Sequence, residues 1–318
     1  MVKIGVIGAG GNGSGHARYY YQSDRADVVA VADPDAERVE KLALEVEAKP
    51  FADFREFLDI VDAVVISSPN HLHRDHAIAC AEAGRHVYCE KPMGVNAAQA
   101  DEIAAAVKKA GVRSFVGFSV RFGGIVQTLK KFAGEGRLGE IFSIWSRRLT
   151  YMNPADRAGW RTDHSLSGGL LLEINIHEIE WMMAVGGEVQ SVFARKFAKD
   201  QDHPRANDHI WAILNFAGDR TALHEGSWSA ATGDYRRGII GTEAGVTTDR
   251  WSQTVYFARN GEKEQEVDLE PRFDKRANFL DAIEKDAESV ADVEWGLKVM
   301  KVTEAIIESA NTGQVIAV

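Results

Sequence analysis

The pattern of hydrophobic and polar positions divides the chain into two parts. In the first, short unbroken apolar runs (residues 3–7, 28–32, 63–67, 86–89 and 114–117) alternate with helical periodicity (14–22, 36–46, 73–83 and 97–110). Runs that are apolar throughout, rather than at every second position, predict a parallel sheet covered on both faces. Strand–helix repetition at this spacing predicts a doubly wound α/β domain, here residues 1–121. Beyond Arg121, strand-like runs follow one another at 141–151, 189–197, 210–216, 221–227, 237–241 and 255–257. Few helices separate them, which predicts an antiparallel sheet. With helical stretches at 170–185, 273–286 and 293–309, residues 122–318 are expected to form an α+β domain that carries the substrate site. Gly123-Gly124 interrupts the pattern and marks the expected hinge.

Composition narrows the function classes. The chain has 318 residues, 45% hydrophobic and 26% charged, an ordinary globular balance. Two parts of this size can each bury a core without metal or disulfide staples. The net charge of -10 argues against nucleic acid, which needs clustered Lys and Arg, but leaves room for a local anion site. The two cysteines, Cys80 and Cys89, have no metal-binding or redox-motif spacing and read as reduced, buried thiols. No apolar run approaches the ~18 residues of a membrane span. The N-terminus enters a strand directly, with no basic or long apolar leader segment, so a cytoplasmic location is expected.

Chemistry appears first after the opening strand. Gly8-Ala9-Gly10-Gly11-Asn12-Gly13 fits G-x-G-x-x-G between an apolar strand and a helical stretch. In such a loop the first glycine allows the tight turn, the second lets a pyrophosphate approach the backbone, and the third lets helix and strand pack closely. The helix N-terminus then offers unpaired N–H groups to the anion. A second strand ends at Asp33, 20 residues after Gly13, where a carboxylate can accept from the adenosine ribose hydroxyls. That carboxylate would repel a 2′-phosphate, and Pro34-Asp35 place no cation beside it, so NAD is expected over NADP.

Three further segments carry a family resemblance. They are Ser67-Ser68-Pro69-Asn70-His71-Leu72-His73, then Ala83 to Pro92 with its Glu90-Lys91-Pro92, then Gly168-Gly169 followed by Glu173 and His177. In this order and spacing the chain resembles the glucose–fructose oxidoreductase, inositol dehydrogenase and rhizopine catabolism family, Gfo/Idh/MocA, over nearly its whole length. The resemblance implies a Rossmann domain followed by a domain with an open, mostly antiparallel sheet. It implies that Lys91 and His177 meet near the nicotinamide, and that the Lys91-Pro92 bond is often cis. It implies cofactor contacts from Gly8, Gly10, Asn12, Gly13 and Asp33, from Ser68, Pro69, Asn70 and His73, and from Glu90, Lys91, Trp160 and Arg161. His71, His73 and His76 then read as a loop and helix start beside the cofactor, and no metal is expected.

The chemistry of these side chains fits the roles. Oxidising a secondary alcohol requires removing the hydroxyl proton as hydride leaves carbon. A histidine can take that proton, and a lysine ammonium can orient the hydroxyl and stabilise developing alkoxide charge. His177 is therefore the expected base and Lys91 the polarising group. Glu173 lies four residues before His177, on the same face of a helix. It stands where the family most often has Asp, and Asn175 where it commonly has Gly, so Glu173 is a candidate for substrate contact or for orienting His177. Arg121, Tyr151, Asn153, Arg161, Asp163 and His164 add polar groups suited to a polyhydroxylated ligand.

The expected activity is NAD-dependent oxidation of a secondary alcohol of a sugar, cyclitol or derivative, or the reverse keto reduction. Three alternatives stand beside it: a lyase or glycosidase that cycles a retained NAD, a non-catalytic dinucleotide-binding sensor, and a dehydrogenase for another substrate class such as a dihydrodiol or a tetrapyrrole. An open sheet would leave one face uncovered, so a homodimer or homotetramer is expected through that face.

Overall fold

A computed structural model describes residues 1–152, 159–198 and 208–318. It contains two compact units, Met1–Gly117 with Lys275–Lys298, and Phe118–Asp274 with Val299–Val318. The division read from the sequence, 1–121 and 122–318, kept residues 275–298 with the later part; in the structure they pack with the first unit.

The first unit begins with β1 (Val2–Ile7), α1 (Gly11–Tyr21), β2 (Ala26–Ala32), α2 (Ala36–Glu45) and β3 (Lys49–Phe51). It continues with β4 (Ala63–Ile66), α3 (His73–Glu82), β5 (His86–Cys89), α4 (Ala97–Ala110) and β6 (Ser114–Val116). The six strands pair in parallel in the order β3-β2-β1-β4-β5-β6, the Rossmann order. Every residue of β4 is buried, as its unbroken apolar run requires. The order reverses between β1 and β4. The loops that follow β1 and β4 leave the sheet at this crevice, where open α/β sheets bind ligands.

The second unit contains α5 (Gly124–Gly134), β7 (Ile141–Tyr151), α6 (His164–Ser167), a π-helical turn Leu171–Asn175 and α7 (Ile176–Gly186). Then come β8 (Val189–Phe197), β9 (His209–Phe216), β10 (Thr221–Ser227), β11 (Ser229–Gly241), β12 (Ala244–Thr248), β13 (Val255–Arg259) and β14 (Gln265–Val267). The chain closes with α8 (Lys275–Glu284), α9 (Val293–Thr312) and β15 (Ile316–Ala317). Nine strands form one open sheet, β14-β13-β12-β11-β7-β10-β9-β8-β15, antiparallel except for the β7–β10 pair. On its inner face Ile144, Ala222, Leu214 and Val192 are buried cross-strand neighbours. On the other face Trp145, Leu223, Ile213 and Phe193 form a row across β7, β10, β9 and β8, and Leu223 remains 47% exposed.

Two expectations change. Gly123-Gly124 begins α5; a Cβ at Gly124 would lie 2.6 Å from the Glu270 carbonyl oxygen, so close backbone approach requires the glycine there. The helical stretch 170–185 is a π turn followed by an α-helix. No helix among the described residues is long and apolar enough to cross a membrane.

Candidate functional site

The glycine loop has a division of labour that the structure makes explicit. Gly8 has φ +99°, and a Cβ there would lie 2.7 Å from the Ser67 carbonyl oxygen. A Cβ at Gly13 would overlap the Gly8 carbonyl oxygen. A Cβ at Gly10 or Gly11 would meet nothing within 4 Å beyond its own neighbours along the chain. Gly8 and Gly13 are therefore glycines for the fold, and Gly10 keeps open space in front of the N-terminus of α1, where backbone N–H groups can receive a phosphate. Asn12 is exposed in the first turn of α1. A cavity of about 400 Å³ continues from Ala9, Gly10 and Gly11 past Ser14 to Arg38 and Lys41.

Asp33 ends β2 beside this loop. Its carboxylate accepts from the Ala9 N–H at 2.7 Å and the Asp35 N–H at 2.9 Å, which ties it to the loop. Two of the nearby cations are paired, Arg38 with Asp35 at 3.1 Å and Arg18 with Glu45 at 2.5 Å, while Lys41 also lines the cavity. The residues fit a dinucleotide, with a phosphate at Gly10 and a ribose at the Asp33 side.

The loop after β4 carries Ser68, Pro69 and Asn70, the last buried. His73 is buried, with ring nitrogens 2.7 Å from the Pro92 carbonyl and 2.8 Å from the Ser68 carbonyl, so it ties this loop to the one after β5. The His76 ring lies 3.0 Å from the Ser68 hydroxyl, and burial holds its pKa down to about 4. Both histidines are engaged with the protein.

After β5, Lys91 is half-buried and its bond to Pro92 is cis. Glu90 is buried and accepts from His16 Nε2 at 2.9 Å, with Lys275 Nζ at 3.7 Å. Burial would push its carboxyl pKa up, but Lys275 and His16 hold it well below the usual range. Glu90 is thus an anchor inside the first unit, directly before Lys91. Sequence reasoning missed its partners, because His16 and Lys275 lie 74 and 185 positions away and carry no motif.

In the second unit Gly168 and Gly169 both take left-handed backbone, and a Cβ on Gly168 would strike Leu172. This pair leads into the π turn that contains Glu173. Glu173 and His177 therefore do not share one α-helix: the first lies in the π turn and the second in α7. Glu173 pairs with Arg161 at 3.2 Å, and the Arg161 guanidinium lies 5.4 Å from the Trp160 ring centre, so Trp160, Arg161 and Glu173 come together. His177 is buried, beside the Phe118 ring, and its Nδ1 accepts from the Ser119 N–H at 3.5 Å.

The remaining candidates have these surroundings. Arg121 is buried against Glu180 of α7 at 2.8 Å. Asp163 caps α6 through the Ser165 N–H at 2.8 Å, and His164 begins that helix. Tyr151 is 59% exposed. Asn153 lies outside the described residues. Asn175 is fully buried and its amide lies 2.7 Å from His224 Nε2.

Comparison with known proteins agrees with the geometry. Residues 2–118 match the model of an oxidoreductase family with an NAD-binding Rossmann fold, and residues 126–247 match the GFO/IDH/MocA C-terminal domain. A myo-inositol 2-dehydrogenase of Thermotoga maritima is 32% identical over 80% of this chain and 77% of its own length. A 2,7-anhydro-N-acetylneuraminate hydratase of Escherichia coli is 32% identical over 59% of this chain and 50% of its own. A levoglucosan dehydrogenase structure, in complex with NADH and levoglucosan, superposes with TM-score 0.89 at 23% identity, covering 100% of this chain and 99% of that one, and so shares the fold. In both of its parts, then, the chain belongs to the Gfo/Idh/MocA family of oxidoreductases, with an NAD-binding Rossmann domain as its first part.

Proposed function

We propose that this chain oxidises a secondary alcohol of a sugar, cyclitol or derivative, or reduces the corresponding ketone, with His177 as base and Lys91 polarising the hydroxyl. The observation that carries the reading is Gly10, a glycine that faces open space at the N-terminus of α1 between two glycines that the fold requires. A bound nicotinamide dinucleotide supplies the hydride acceptor. NAD is favoured over NADP because Asp33 would repel a 2′-phosphate and the Arg18 and Arg38 side chains are matched by carboxylates.

In this reading the Lys91 ammonium donates to the substrate oxygen and stabilises alkoxide character. His177 takes the hydroxyl proton at Nε2, so the competent ring carries its own proton on Nδ1. That tautomer gives up the Ser119 contact, which at 3.5 Å is at the edge of hydrogen bonding and costs little to lose. Arg161, already paired with Glu173, adds donors for further hydroxyls. The same proposal includes a cytoplasmic location and a homodimer or homotetramer formed through the sheet face that carries exposed Leu223 and Ile213 between half-buried Trp145 and Phe193.

The test is a panel of sugars and cyclitols with NAD and, separately, NADP, followed by absorbance of the reduced nicotinamide. Net NADH with at least one of these polyols is expected. Product formed without net NADH would favour the second reading, a redox-cycling reaction on a retained dinucleotide, to which the relative named as a hydratase lends weight. No turnover with any polyol would overturn the proposal.

A further inference from the structure

Beneath the π turn a buried chain of polar side chains reaches from helix to sheet. Asn175, the last residue of the turn, donates from Nδ2 to His224 Nε2 at 2.7 Å. The other ring nitrogen, Nδ1, lies 2.7 Å from the Ser146 hydroxyl oxygen. Ser146 on β7 and His224 on β10 are cross-strand neighbours on the inner face of the sheet, and all three side chains are buried. With Nδ2 as the amide atom that faces the ring, His224 Nε2 accepts, and the ring proton sits on Nδ1 and points at Ser146. Burial keeps this ring neutral, with a pKa of about 4, which the arrangement requires.

Two further features show that the contact is built in. A Cβ at Gly226 would overlap the Asn175 amide and stand 2.8 Å from His224 Nε2, so β10 keeps a glycine where the amide enters. Asn175 Oδ1 is buried and finds no hydrogen-bond partner among the described residues. One turn away Arg148 Nη1 reaches both the Ile174 carbonyl and Glu178 at 3.4 Å, a second tie between the turn and the sheet. A π turn is a rare geometry that recurs at functional sites. This one holds Glu173 two residues before Asn175, and His177 follows two residues after.

We infer that Asn175 and His224 are positioning residues: their hydrogen bond sets the end of the π turn and thereby fixes where Glu173 and His177 stand. A slip of the turn would displace both side chains together, and a displacement near 1 Å can cost roughly 100-fold in rate. The inference rests on the reading of His177 as the base, so its test includes a measurement that needs no turnover.

The variants are Asn175→Ala, His224→Ala, their double mutant and His224→Gln, whose amide can accept from Asn175 and donate to Ser146. With the polyol identified in the substrate panel, each alanine variant is expected to lose ten- to a hundredfold in kcat with KM for NAD unchanged. The double mutant is expected to be no worse than the poorer single one, and His224→Gln to recover most of the loss. Hydrogen exchange of the peptide spanning 171–177, measured without substrate, is expected to quicken at least tenfold in both alanine variants and to return in His224→Gln. Additive losses in the double mutant, kcat within twofold of wild type in both single variants, or unchanged exchange across 171–177 would overturn the inference. If Asn175→Ala fails to fold, the His224→Ala and His224→Gln pair decides alone by the same exchange measurement. An absence of any polyol turnover, with the exchange response intact, would instead count against the proposed function.

Discussion

Glu178 offers the sharpest test of what holds the second unit together. Its carboxylate is fully buried on α7 and accepts from Arg237 Nε and Nη2, both at 2.9 Å, from Trp181 Nε1 at 2.8 Å and from Tyr235 Oη at 3.1 Å. Burial pushes its pKa up, but Arg237 and Arg148 overcome this and hold it down to about 2. Glu178→Gln keeps the size of the side chain and leaves Arg237, itself buried, without its counter-charge. Breaking a buried pair in this way costs roughly 3–5 kcal/mol, and at about 2–4 °C per kcal/mol for a unit of this size the unfolding transition should fall by roughly 6–20 °C. Thermal unfolding followed by circular dichroism at pH 7 reads this directly. The sign with pH is also fixed. A carboxyl whose folded pKa is depressed contributes stability that is present above its unfolded value, near 4.5, and is lost as pH falls toward about 2. The gap between wild type and Glu178→Gln should therefore narrow as pH falls through that window. A variant that unfolds within 2 °C of wild type at pH 7, or a gap that widens on acidification, would refute the reasoning.

Other expectations follow from the first unit and from the sheet. Gly10→Ala should leave the unfolding temperature unchanged and weaken NAD by at least about tenfold, because only a ligand needs that space, whereas Gly13→Ala should destabilise the unit by forcing a Cβ into the Gly8 carbonyl; calorimetric titration and thermal unfolding separate the two. Asp33→Ala should weaken NAD by roughly 10- to 100-fold, the range for losing hydrogen bonds to a charged group, and NADP by much less; comparable losses for both would remove Asp33 as the discriminator. Leu223→Asp, in the middle of the row on the sheet, should convert an oligomer into a monomer in light scattering at micromolar concentration; a wild-type chain that is already monomeric there would contradict the proposed interface.

How far the sequence could be read depended on the range of the interaction. The parallel sheet was legible because β4 throughout, and β1 from Ile4 onward, are buried on both faces and read as continuous apolar runs. β3 was not, since Lys49 and Pro50 are exposed and only Phe51 is half-buried. α5 was hidden because it begins at Gly124, and glycine reads as a break until the Glu270 carbonyl beside it is seen. The glycine loop at the end of β1 was legible because its turn chemistry is local. The π turn was not, since periodicity over 170–185 cannot distinguish i→i+5 from i→i+4 bonding. Long-range pairs were beyond reach. The pairing of Arg121 with Glu180, and of Glu90 with His16 and Lys275, joins positions far apart in the chain that no local motif connects.

The central claim is that Lys91 and His177 together carry hydride chemistry on a polyol. The most direct measurement is turnover of one identified sugar or cyclitol with NAD by the wild-type chain and by Lys91→Ala and His177→Ala, each checked for NAD binding and for an unchanged fold. Wild type is expected to produce NADH, and each variant to bind NAD yet lose at least about 100-fold in kcat, the scale of general acid–base catalysis. Retention of wild-type turnover by either variant would contradict it.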